Sequence, residues 1–129
     1  VIVGIGIDIV EVYRIREALE RTPRFIERVF TEAEIEYCRA KGVKQFESFA
    51  GRYAAKEAMF KALGTGWRGE LAWNDIEILP NELGSPILKY SGEVAIQMAS
   101  LGCKDVHLSI SHTENYAVAQ IIIEKDSKS

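Results

Sequence analysis

The sequence predicts a single α+β domain in which a mainly antiparallel sheet packs against a long central helix. Three observations carry this. Helical and strand-like segments alternate in the order β-ααα-ββ-α-ββ, and that grouping belongs to α+β rather than parallel α/β architectures. The segment from about Gln45 to Leu63 is a long helix with small residues on one side and aromatic ones on the other, so it is covered on both. The chain has 129 residues, 47% hydrophobic and 27% charged, which suits one ordinary globular domain without disulfides or a structural metal.

Each element follows from its local pattern. Residues 1–10 (VIVGIGIDIV) form an opening strand, with Val1, Val3, Ile5, Ile7 and Ile9 on one wholly apolar face and Gly4, Gly6 and Asp8 on the other. Residues 13–30 are helical, broken at Pro23, which can begin a second short helix. Thr31 and Glu34 make a capping box, so a further helix runs to about Lys41 and stops at Gly42. The long helix ends in the turn Gly64-Thr65-Gly66. Residues 73–79 suit a strand, NELGSP a turn, and ILKY a second strand. Ser91 can cap a helix from Gly92 to Leu101, with Gly102 as its stop. Val106, Leu108 and Ile110 alternate with polar residues, a turn follows at Thr113 to Asn115, and YAVAQIIIE returns as the hairpin partner.

Composition excludes several roles. The net charge of −3 disfavours a general nucleic-acid binder, and no apolar run approaches a membrane span. No basic segment followed by an apolar stretch opens the chain, and Cys38 and Cys103 lack CxxC spacing. The expectation is a soluble cytoplasmic protein with reduced thiols.

Three places resist a purely structural reading. Asp8 shares its strand face with two glycines, which leave room for a ligand or another backbone. It is either a ligand-facing carboxylate or a cap at the strand end. The surrounding glycines are not a dinucleotide fingerprint, because position 9 is Ile. Glu57 falls within the stripe Phe46, Phe49, Ala50, Tyr53 and Phe60, where a carboxylate must be neutral, hydrogen-bonded or matched by a cation. Lys61, one turn on, either pairs with it in the ordinary helical way or sits beside an anionic substrate while Asp8 and Glu57 hold Mg²⁺. Third, Ser109-Ile110-Ser111-His112-Thr113 ends a strand. Ser111 and His112 are adjacent and point to opposite faces, so they cannot act as a nucleophile–base pair. The segment is either a phosphate-binding turn or plain hairpin chemistry. Residues 14–28 carry Arg14, Arg16, Arg21, Arg24 and Arg28, nearly balanced by glutamates: a solvated face, or a surface for one acidic partner.

GIGIDIVE at 4–11, GRYAAKEAMFKALGTG at 51–66 and SISHTENYAVA at 109–119 resemble the holo-[acyl-carrier-protein] synthases, the small stand-alone branch of the 4′-phosphopantetheinyl transferases. The resemblance implies Mg²⁺-dependent transfer of the phosphopantetheine arm of coenzyme A to a serine of apo acyl carrier protein, in support of fatty acid biosynthesis. Adenosine 3′,5′-bisphosphate would be the other product. It also implies that Asp8 and Glu57 are metal ligands and, with Lys61, the catalytic group. Lys44, Arg52, Lys61, Gly64, Pro86, His112 and Thr113 would contact coenzyme A, Arg52 and Lys44 at the 3′-phosphate. Arg14, Arg24, Phe25 and Arg28 would dock the acidic carrier. A homotrimer with active sites between subunits is the implied assembly, and the base that takes the serine proton stays open between Glu57 and a water. Two rivals are a non-catalytic module for an acidic helical partner and a metal-dependent nucleotide hydrolase.

Overall fold

The first and last strands lie side by side. In the computed structural model, which describes residues 1–64 and 72–126, β1 (Ile2–Glu11) pairs antiparallel with β5 (Tyr116–Glu124). The other edge of β5 pairs antiparallel with β4 (Asp105–His112), giving the order β1-β5-β4. A separate two-stranded sheet consists of β2 (Ile76–Pro80) and β3 (Pro86–Tyr90). Among the described residues all pairing is antiparallel as expected, but the strands divide between two sheets. The expected strand at 73–79 starts only at Ile76, because Trp73–Asp75 form a 3₁₀ turn.

Between β1 and the hairpins come α1 (Val12–Arg21), α2 (Pro23–Val29), α3 (Glu32–Arg39) and the long α4 (Gln45–Ala62). Pro23 opens α2, where its missing N–H costs nothing. Both bonds of the capping box form at α3: Glu34 N donates to Thr31 Oγ1 at 3.2 Å, and Thr31 N to Glu34 Oε1 at 2.9 Å. The cap of α5 (Gly92–Ser100) differs from expectation. Ser91 makes no side-chain cap bond, because the Asp75 carboxylate lies against Gly92 and accepts from Glu93 N at 3.2 Å.

Burial on β1 is the reverse of what its apolar alternation suggests. Val1, Val3, Ile5, Ile7 and Ile9 are all exposed, whereas Gly6 is buried and Gly4 half-buried. The glycine face is the inner one because α4 crosses it with backbone against backbone. A Cβ on Gly6 would lie 2.8 Å from Ala62 N and 2.9 Å from Ala58 C, and closer still to Ala58 O; one on Gly4 would meet Ala62 O. The small residues Ala58 and Ala62 on α4 permit this approach.

Two apolar clusters hold the layers together. Ala54, Ala58, Met59, Ile76, Ile78, Met98, Ile121 and Ile123 fill the space between α4 and the sheets. Val12, Ile15, Val29, Phe30, Phe49 and Ala117 join α1 to α3 with the other side of α4. Into this interior the chain also places an ion pair. Lys56 Nζ lies 2.6 Å from Glu34 Oε1, both side chains fully buried, and donates to Val29 O at 2.7 Å. Glu34 Oε2 accepts from Ile78 N at 2.8 Å, so one carboxylate ties together the cap of α3, α4 and β2. Sequence reasoning saw Glu34 only as half of a capping box.

Candidate active site

The close approach of β1 to α4 brings Asp8 beside the C-terminal half of the helix. Lys61 Nζ donates to Asp8 Oδ1 at 2.9 Å and to Ile7 O at 3.1 Å. Lys61 therefore reaches across to the strand, and its ion pair is with Asp8 rather than with Glu57 one turn back. Glu57 is half-buried, and its pKa is raised above 4.5 first by that burial and then by the charge of Asp8. A hydrogen bond from Tyr53 and the charge of Lys61 pull the other way without cancelling it. Burial and the neighbouring Glu57 push the Tyr53 phenol up to about 12. Its ring stacks on Trp73, with centroids 5.2 Å apart at 21°. Tyr53 appears in the sequence only as part of an aromatic stripe, yet its i,i+4 spacing to Glu57 is the signal that could have linked them.

Two carboxylates and one ammonium leave this cluster short of positive charge, which adds to burial in raising the Glu57 pKa. The donor set suits a hard cation that takes oxygen ligands. Among the described residues no third histidine, cysteine or carboxylate completes a protein-only cage. That pattern fits Mg²⁺, which keeps several positions for water and phosphate oxygens.

A second constellation lies elsewhere on α4. Lys41, Lys44, Glu47, Arg52, Ile110 and His112 are among the residues lining a cavity of about 210 Å³. Arg52 is its buried member at 7% exposure: Nε donates to Ile78 O at 3.1 Å, Nη1 to Ser48 Oγ at 3.2 Å, and the guanidinium covers the Tyr37 ring at 4.5 Å. His112, the last residue of β4, places Nδ1 2.8 Å from Glu47 Oε1. Thr113 Oγ1 accepts from Tyr116 N at 3.1 Å and Asn115 N at 3.3 Å, so this hydroxyl shapes the hairpin turn. Three cations against one carboxylate give the cavity a net positive charge, an environment that suits an anion.

Among the described residues, the two constellations lie on different faces of α4. From Arg52 to Glu57 is five residues, about 500° around the helix and so about 140° apart. Asp8 and His112 stand on β1 and β4 with β5 between them. Pro86 opens β3 opposite Pro80 and does not line the cavity; Gly64 follows α4 with φ of +78°. The rest of the expected turn, Thr65 and Gly66, lies outside the described residues.

Arg14, Arg24 and Arg28 are exposed on α1 and α2. Arg14 pairs with Glu11 at 3.3 Å, both side chains facing solvent. Phe25 is half-buried, its ring 6.1 Å from Tyr53 and 6.3 Å from Phe30. It thus connects the arginine-bearing surface to the residue that bonds Glu57.

Comparison with known proteins points the same way. The family model of the 4′-phosphopantetheinyl transferase superfamily matches residues 4–121. The holo-[acyl-carrier-protein] synthase of Koribacter versatilis is 48% identical over 124 residues, 95% of this chain and 98% of that one. The enzyme of the same name from Chloroherpeton thalassium is 49% identical over 123 residues, again 95% and 98%. Among solved structures, the Bacillus anthracis holo-(acyl-carrier-protein) synthase in complex with CoA (3′,5′-ADP) superposes with a TM-score of 0.81 at 44% identity, covering 97% of this chain and 98% of that one. The Helicobacter pylori synthase in complex with coenzyme A gives 0.81 at 35% identity, covering 93% and 99%. With its α+β architecture and these matches along almost its whole length, the chain belongs to the holo-[acyl-carrier-protein] synthases of the 4′-phosphopantetheinyl transferase superfamily.

Proposed function

We propose that this protein transfers the 4′-phosphopantetheine arm of coenzyme A to a serine of an apo acyl carrier protein and so supplies fatty acid biosynthesis. The observation that carries the reading is the cluster of Asp8, Glu57 and Lys61, held by a backbone contact and short of positive charge. The serine oxygen attacks the phosphorus that bears the pantetheine arm. The bond from that phosphorus to the bridging oxygen breaks, and adenosine 3′,5′-bisphosphate leaves. The serine proton passes to Glu57 or to a water. Asp8 and Glu57 are the residues that would hold Mg²⁺, whose chemistry is neutralisation of pyrophosphate charge. Lys61, half exposed and held beside Asp8, adds a positive charge where the leaving phosphate develops negative charge.

Lys44, Arg52 and His112 line the cavity proposed for the 3′-phosphate end of coenzyme A. Because that cavity and the carboxylate cluster lie on different faces of α4, we assign the complete site to two neighbouring copies in a homotrimer. The exposed row Val3, Ile5, Ile7 and Ile9 supports such an assembly, since an apolar strand face of this kind ordinarily marks a protein contact. Arg14, Arg24 and Arg28 would receive the acidic carrier. Among the described residues no helix is long and apolar enough to cross a membrane. Cys38 and Cys103 are both free, which suits a reducing cytoplasm. The binding-module alternative leaves the Asp8–Lys61–Glu57 cluster without a task.

Intact mass of an apo acyl carrier protein after incubation with this protein, coenzyme A and Mg²⁺ tests the proposal. A gain of about 340 Da, lost with EDTA and with Asp8→Ala, is expected of the transferred arm. Intact coenzyme A and unmodified carrier would overturn it; cleaved coenzyme A with unmodified carrier would favour a hydrolase.

A further inference from the structure

We propose that Glu47 is a positioning residue: its carboxylate holds His112 as the Nδ1–H tautomer, so that Nε2 is the ring atom left to meet coenzyme A. The inference rests on the assignment of the Lys44–Arg52–His112 cavity to the donor substrate. Glu47 stands in the first turn of α4 and His112 at the end of β4, so the contact joins two of the elements that wall the cavity. Glu47 Oε1 lies 2.8 Å from Nδ1, with the Glu47 side chain only 16% exposed. An ionised carboxylate has no hydrogen to give, so the facing nitrogen must carry one. Free neutral histidine favours the opposite tautomer, and here the partner of one nitrogen decides what the other can do. A phosphate oxygen only accepts hydrogen bonds, so with Nδ1–H kept on Glu47 the ring takes a second proton at Nε2 when the ligand binds and donates Nε2–H to it.

Glu47 has a further property that fits this task. It is the acidic member among Lys41, Lys44 and Arg52, and a carboxylate is a poor neighbour for a phosphate ligand unless its charge is spent on something else. The bond to His112 spends it on the imidazole, leaving the three cations to face the anion.

The chain provides its own control. It has two histidines, and the other, His107, places Nε2, not Nδ1, against a carboxylate, 2.9 Å from Glu124 Oε1. The same reasoning assigns His107 the Nε2–H tautomer. Long-range ¹H–¹⁵N correlation spectra of the full ¹⁵N-labelled protein, without ligand and with both rings neutral, should therefore show one histidine of each kind. In Glu47→Ala, His112 should revert to Nε2–H while His107 stays unchanged. The KM for coenzyme A should rise about tenfold, the scale of one charge-assisted hydrogen bond, with kcat at saturating coenzyme A changing far less. Glu47→Gln, whose amide oxygen can accept the same hydrogen, should restore both tautomer and KM. In a His112→Ala background, Glu47→Ala should raise the KM no further.

A wild-type His112 found as Nε2–H overturns the proposal. So does an undiminished effect of Glu47→Ala in the His112→Ala background, which would show that Glu47 acts on the fold or on the ligand directly. Failure of the functional assignment looks different: the tautomers come out as expected, but calorimetry detects no coenzyme A binding to the wild-type protein.

Discussion

Replacing Gly6 by alanine tests whether the contact between β1 and α4 sets the geometry of the carboxylate cluster. The added Cβ would lie 2.8 Å from Ala62 N and 2.9 Å from Ala58 C, both backbone atoms that no rotamer change can move aside. Strand and helix must separate by about 1 Å before such contacts become ordinary, and overpacking on this scale costs about 3 kcal/mol. For a domain of this size the melting temperature should fall by about 10 °C. The same separation acts on the cluster, because Lys61 bonds both Ile7 O and Asp8 Oδ1 across that seam. A displacement of about 1 Å at reacting groups costs on the order of a hundredfold in kcat/KM. Thermal melts with carrier-modification kinetics over a Mg²⁺ titration would read both effects. Gly102→Ala is the comparison: its φ of +71° also makes alanine strained, but it lies after α5, away from the cluster, so stability should fall while transfer survives. A Gly6→Ala protein with wild-type transfer kinetics at a temperature where it is folded would refute the idea that this seam positions the cluster.

Three further outcomes are expected. In EDTA the raised pKa of Glu57 means that the folded chain binds this proton more readily than the unfolded chain, so its contribution to stability is present below pH 4.5 and lost as pH rises through the folded value. Glu57→Gln should therefore melt above the wild type at neutral pH, with the difference shrinking on acidification; a difference independent of pH would contradict the shift. Lys56→Met strands the buried Glu34 carboxylate and should cost about 3–5 kcal/mol in urea melts. A loss of about 1 kcal/mol or less would mean that removing the ammonium leaves no uncompensated charge. Arg14→Ala should raise the KM for carrier about fivefold while leaving the KM for coenzyme A and the melting temperature in place, since its solvent-facing pair with Glu11 contributes about 1 kcal/mol at most. An effect confined to coenzyme A would remove Arg14 from the docking surface.

Local chemistry was the legible part of this fold. Pro23 at the start of α2, the box of Thr31 and Glu34, and the hairpin turn at Thr113 all depend on neighbours within a few residues, and each formed as the pattern dictates. What eluded pattern reading depends on partners far along the chain. Glu34 and Lys56 are 22 residues apart, and nothing in either neighbourhood announces their pairing. Asp75 caps α5 from 18 residues away and displaces the nearer candidate, Ser91. On β1 the alternation identified two faces correctly but could not say which is inside, because the deciding quantity is how closely a helix backbone can approach, and glycine rather than isoleucine permits that. The candidate site divides along the same line. Asp8, Glu57 and Lys61 could be singled out as candidates because acidic and basic groups on apolar or glycine-bearing faces are costly unless paired or solvated, although their pattern alone left a structural role open. Glu47 and Tyr53 could not, since each matters through the residue it touches.

The two faces of α4 also bear on inheritance. A chain that has lost Asp8 keeps its basic cavity, and one that has lost His112 keeps its carboxylate cluster. If each complete site draws one half from each of two neighbours, two alleles that are individually silent can rescue one another when expressed in one cell. Random mixing of equal amounts would leave about a quarter of the boundaries between copies whole. Conversely, a single chain defective in both halves would spoil every boundary it joined, so that one copy silences more than its own share of the assembly.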